Sequence, residues 1–137
     1  MAHCNTVLSQ MLKIVGRHEF DKIASEHHQG QKLRKMSRWS QFVALSFAQL
    51  SGRNSLRDIE SNLNAQRHHA YHLGSERVSR SSLARVNTQQ PASFYEALFY
   101  KLAERCVRMA PKHGFKFDNP LYPLDASLID LSLKIFP

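Results

Sequence analysis

The stretch SRWSQFVALSFAQLSG, residues 37–52, decides the fold class. Trp39, Phe42, Val43, Phe47 and Leu50 recur at the three- and four-residue steps that bring side chains onto one face of an α-helix. Ser37 stands where a hydroxyl can accept from the free amides of a first turn. Gly52 stands where a residue of left-handed backbone closes a helix. Neither Pro nor Gly interrupts the run, so one continuous helix is predicted.

The flanks repeat the pattern. Val7, Leu8, Met11, Leu12 and Val15 have helical spacing before Gly16, and EFDKIASEH offers a further helix before the polar break HHQGQK. Downstream, Ser55 and Asp58 make a capping-box-like pair, with Leu56, Ile59 and Leu63 turned inward. RHHAYHLG is a brief helical turn ending at Gly74, and Ser79 can cap a helix whose apolar contacts are Val78, Leu83 and Val86. In PASFYEALFYKLAERCVRMAP, Ser93 and Glu96 have capping-box spacing. Phe94, Leu98, Leu102, Cys106 and Met109 form the expected buried stripe there, ended by Pro111 and Gly114.

Only then does the register change. FKFDNPLYPLDASLIDLSLKIFP carries three prolines and no helical period, and Pro120 and Pro123 favour extended backbone. The expectation is a mainly α protein, with a multi-helix domain over residues 1–113 and a strand-like segment over 119–137.

Composition narrows the partners. The 137 residues hold 19 Lys and Arg against 11 Asp and Glu, for a net charge of +8. Such an excess favours a polyanion, nucleic acid before membrane, although a merely basic surface has the same composition. Cys4 and Cys106 lie far apart with no Cys-x-x-Cys neighbour, which fits a reducing cytoplasm. There is no cationic start followed by an apolar run, and FVALSFAQL falls short of the ~20 residues of a membrane span.

Three constellations carry chemistry. In SRSSLARVNTQQ, placing Leu83 and Val86 inward turns Ser81, Arg85 and Thr88 outward with Arg80 on the flank. Residues 55–89 thus have the plan of a helix-turn-helix unit, in which a second helix meets a DNA groove. Arginine can read guanine or grip phosphate, and hydroxyls suit backbone oxygens. An ordinary solvated face has the same pattern. Secondly, Lys101, Arg105, Arg108 and Lys112 follow one helical stripe, and with Lys32, Arg34, Lys35 and Arg38 they would make a phosphate-facing surface. Such a stripe is equally the wet side of an amphipathic helix. Thirdly, Asp125 sits in the apolar run LYPLDASLIDL, as a divalent-metal nuclease begins its ligand set, or as a turn cap would. His68 and His72, four residues apart, have no further ligand nearby to complete a zinc set.

Together SRWSQFVALSFAQLSGRNSLRDIESNL, YHLGSERVSRSSLARVN and LYPLDASLIDLSLKIFP resemble the N-terminal part of bacterial DDE transposases of the insertion-sequence-four type. The resemblance runs from about Gln10 to Pro137. It implies a helical domain that binds the element's terminal inverted repeats, followed by an RNase H-like catalytic domain holding two divalent ions on three acidic residues. Asp125 would be the first of those three, on the opening strand of that fold, and Arg80 and Arg85 would belong to the DNA-binding part. ARVNT, residues 84–88, departs from the Ala-Asp-Ala-Asn-Glu of the family pattern and makes that face more basic. The second and third acidic residues have no counterpart here. The expectation is therefore a truncated transposase in the cytoplasm that binds double-stranded DNA without cutting it, with no cofactor of its own and Mg²⁺ for the full-length family. The alternatives are a fragment that pairs with full-length transposase or with itself, and a stand-alone basic DNA-binding regulator.

Overall fold

Seven helices hold most of the residues that the computed structural model describes, 6–27 and 36–111. They are α1 (Val7–Leu12), α2 (Arg17–Glu26), α3 (Arg38–Leu50), α4 (Leu56–Ala65), α5 (Arg67–His72), α6 (Arg80–Gln89) and α7 (Ala92–Met109), with no strand among the described residues. Most of the expected starts are present. Ser37, Ser55 and Ser79 each cap a helix by accepting a backbone amide, those of Ser40, Arg57 and Ser82 respectively. Gly52 and Gly74 take the left-handed conformation, at φ 63° and 67°. The start of α7 differs from expectation. Pro91 is its N-cap, and Ser93 bonds His27 Nδ1 at 2.9 Å instead of capping the helix. The strand expected over 119–137 lies outside the described residues.

Helix α3 is central because both of its faces are buried. On one side Trp39 and Val43 join Leu12, Val15, Phe20, Ala24, Phe94 and Leu98 from α1, α2 and α7 and the turn after α1. Phe20 is the hub, with its ring centroid 5.0 Å from Trp39, 5.3 Å from Phe42 and 5.2 Å from Phe94. Each such aromatic pair adds ~0.5–1.5 kcal/mol beyond the area it buries. On the other side Ala44 and Ala48 meet Ile59 and Leu63 of α4, Val78, and Leu83 and Val86 of α6. The two alanines lack bulk, which lets α4 come close to α3.

The opening residues of α3 explain why polar side chains interrupt its apolar stripe. Arg38 Nη1 donates to the Ala24 carbonyl at 3.0 Å, and its guanidinium lies 5.6 Å from the Phe94 ring. Trp39 Nε1 donates to the Leu73 carbonyl at 2.8 Å. The Glu76 amide donates to Ser40 Oγ at 2.9 Å, and Gln41 Nε2 donates to Asn87 Oδ1 at 2.6 Å. Buried polar groups need such partners, so each side chain holds a named element in place. Gly74 belongs to the same junction. A Cβ there would meet Arg17 Nη1 at 3.3 Å and Trp39 Nε1 at 3.7 Å, while Arg17 lies 4.6 Å over the Trp39 ring.

The stripe expected on α7 is buried only in its first half. Phe94 and Leu98 are in the core, but Cys106 and Met109 are exposed. Leu102 and Cys106 instead border an open apolar groove of about 530 Å³ between α1, α3 and α7. The cause is length. At ~1.5 Å per residue, the 18-residue α7 runs well past its 10-residue partner α2.

Candidate nucleic-acid interface

Helix α6 packs on α4 through Leu83 and Val86, which are 0% and 1% exposed. With those two inward, Arg80, Ser81, Ala84, Arg85 and Thr88 are all exposed, the face that the helical wheel predicts. Thr88 Oγ1 is turned back to the Ala84 carbonyl at 3.0 Å. Ser81 Oγ lies 3.5 Å from the capping hydroxyl of Ser79. The two arginines are the long, charged reach of the helix.

Charge is distributed unevenly. From residue 51 to 90 the cations are Arg53, Arg57, Arg67, Arg77, Arg80 and Arg85, against Asp58, Glu60 and Glu76. All six arginines are exposed. None of them pairs with an acidic group among the described residues, where every ion pair lies on α2 and α7 or between them. Arg53, Arg57, Arg67 and Arg77 therefore join Arg80 and Arg85 as candidates, although no single helical face predicts them. Their signal in the sequence is compositional: six arginines and no lysine within forty residues.

The cations expected on α7 are placed differently. Arg105 Nη2 lies 2.6 Å from Glu19 Oε2, and Arg105 Nη1 donates to the Ile14 carbonyl. Lys101 is 3.7 Å from Glu19 and 3.9 Å from Glu104, and Arg108 is 3.6 Å from Glu104. Lys101 and Arg105 tie α7 to α2 through Glu19, while Arg108 pairs within α7, so three of the four cations expected on the stripe have acidic partners. Arg38 lies in the interior of the fold. It is 7% exposed, and its pKa is lowered by burial with a small opposing influence from Tyr95, so it serves packing rather than a surface. Arg34, Lys35, Lys112 and Asp125 lie outside the described residues. The Mg²⁺ site that the resemblance associates with Asp125 lies outside them too, and among the described residues no three of His, Cys, Asp and Glu converge as metal ligands.

Tyr95 is the most perturbed acid. Burial pushes its phenol up to about 12, the nearby Arg38 charge opposing the shift, and its hydroxyl has no hydrogen-bond partner among the described residues. It lines the apolar groove, away from α6, and does not contribute chemistry to the arginine face. No helix among the described residues is long and apolar enough to cross a membrane.

These features define a class: a small helical domain with one ion-paired half and one half whose exposed arginines have no acidic partner among the described residues. The particular family follows from comparison. The family model described as Domain of unknown function (DUF4372) matches residues 3–76, more than half of the chain, and the chain belongs to that family. It is an N-terminal domain found in transposase-like proteins. The matched segment takes in α1 to α5 and ends before α6. No curated protein and no solved structure matches the chain.

Proposed function

We propose that the chain is a DNA-binding module of a transposase of the insertion-sequence-four type, with α4 and α6 as a helix-turn-helix-like unit and α6 as its reading helix. The observation that carries this reading is the face of Arg80, Ser81, Arg85 and Thr88. It is exposed along its length, backed by buried Leu83 and Val86, and its two guanidinium groups pair with no acidic group among the described residues. An arginine that has already found a carboxylate must give it up to take a phosphate. These have nothing to give up. The family's occurrence in transposase-like proteins supports the same assignment. In this reading Asp125 belongs to the catalytic part, and strand cutting is not a task of the helical residues.

Titration of the terminal inverted repeats against a scrambled duplex by gel shift tests the proposal. The repeats are expected to bind more tightly. Arg80→Ala and Arg85→Ala each cost ~1–3 kcal/mol if they read bases, and each lowers the salt slope by about one unit if it holds a phosphate. Equal affinity for the two duplexes, or none for either, overturns sequence-specific binding.

A further inference from the structure

Tyr71 is 78% exposed, a large aromatic ring left in water on a helix of only six residues. Its ring lies 5.7 Å from that of His72 in an edge-on arrangement. Two concavities meet at this residue. One, of about 410 Å³, is bordered by Arg67, His68, Tyr71 and His72, and no acidic residue borders it. The other, of about 150 Å³, is bordered by Arg67, Tyr71 and Arg77, with Asn64, Ser75 and Glu76 among its remaining walls. Arg67 and Tyr71 therefore stand on the ridge between the two, at the i, i+4 spacing that places them on one side of α5.

The backbone that carries Tyr71 is held in position. Trp39 Nε1 grips the Leu73 carbonyl at 2.8 Å, the Gly74 amide bonds the Tyr71 carbonyl at 2.9 Å, and Gly74 turns the chain away at φ 67°. An exposed aromatic ring one helical turn from a guanidinium is a pairing that binds an unstacked nucleotide. The base stacks on the ring and the cation takes the phosphate, with little regard for which base it is. A base still stacked and paired within a duplex cannot offer its face in this way.

We propose that Tyr71 and Arg67 form a binding site for an unpaired DNA nucleotide, separate from the duplex-facing arginines of α6. The phosphate sits in the concavity of Arg67, His68 and His72, because Glu76 repels it from the other. The proposal rests on the DNA-binding reading and gives it a second ligand: single-stranded DNA at a frayed or overhanging end.

The test is fluorescence anisotropy of the intact chain with two separate probes, a short labelled oligothymidylate and a blunt duplex. Tyr71→Ala is expected to weaken oligothymidylate binding about 10-fold or more, and Tyr71→Trp to preserve it within about twofold. The blunt duplex is expected to bind both variants as it binds the original chain. Unchanged oligothymidylate binding in Tyr71→Ala, or none in the original chain, overturns the proposal. If duplex binding survives such a result, the site alone has failed. If oligothymidylate binds through Tyr71 and no duplex binds, the reading of α6 has failed and the site stands. Because Tyr71 is exposed, a circular-dichroism melt of Tyr71→Ala is expected to match the original, which separates lost binding from lost folding.

Discussion

On one side of α3, Phe20, Trp39, Phe42 and Phe94 meet ring to ring, and Glu19 and Glu104 hold the cations of α7. On the other side, Ile59, Leu63, Leu83 and Val86 pack around two alanines, and the surrounding arginines meet no carboxylate among the described residues. Both sides bury apolar residues, so the contrast is not one of packed against unpacked. It lies in what the charges do. In the first half Glu19 joins α2 to α7 and Glu104 pairs along α7, and in the second the arginines are exposed with no carboxylate beside them among the described residues. Cations without a carboxylate beside them are the ones open to an anionic ligand, and among the described residues they are gathered in the second half.

The largest test of the contrast is in the cores. Phe20→Ala is expected to cost ~3–5 kcal/mol in urea unfolding, because three rings lose their common partner. Leu83→Ala, in the aliphatic half, is expected to cost ~2–5 kcal/mol. A loss below ~1 kcal/mol at Phe20 would show that the ring cluster does not organise its half. Next comes Gly74→Ala, at ~1–2 kcal/mol from left-handed strain alone, since the Arg17 guanidinium opposite is the end of a flexible side chain. Differential scanning calorimetry of that variant reports it directly.

Glu19→Gln probes the charge contrast itself. It is expected to destabilise by ~1 kcal/mol, and to steepen the salt dependence of the proposed DNA binding by releasing Arg105 and leaving Lys101 with Glu104 alone. An unchanged salt slope would mean that α7 stays remote from DNA even when its cations are freed. The smallest effect belongs to Tyr95, and it appears only in alkali. Its folded pKa, about 12, exceeds the unfolded value near 10, so the folded state holds the proton more firmly. The stability this provides is complete below pH ~10 and is lost as pH rises towards ~12. In a pH series of urea midpoints, Tyr95→Phe is expected to remove that loss. At neutral pH it should be nearly neutral, because no hydrogen bond to a described residue is given up.

How much of this was legible from residues alone depended on how many sides of a helix are covered. For α6, with one buried face, the wheel assigned inside and outside correctly at Leu83, Val86, Arg80 and Arg85. For α3, with two, the wheel failed: Ser40 and Gln41 are polar yet 0% and 1% exposed, because each reaches a partner in the segment from Glu76 to Asn87. For α7 the error was of a different kind. Lys101, Arg105 and Arg108 do share a stripe, but the sequence carries no sign that Glu19, more than eighty residues earlier, faces it. Long-range pairing is set by how helices pack, and periodicity is blind to it. Ser93 was misread for the same reason, since the partner that draws its hydroxyl is His27, from another helix's end.

Three consecutive residues make the hydrogen bonds of one junction: Trp39 donates to the Leu73 carbonyl, Ser40 accepts from the Glu76 amide, and Gln41 donates to Asn87. Mechanically they form a bracket between α3 and the segment that carries α5 and α6. A pull on α6 is therefore passed to α3, and through the aromatic rings to α2 and α7, with no swivel between. If α6 binds DNA as proposed, this bracket would make the described helices follow it as a lever, not as a load on a tether.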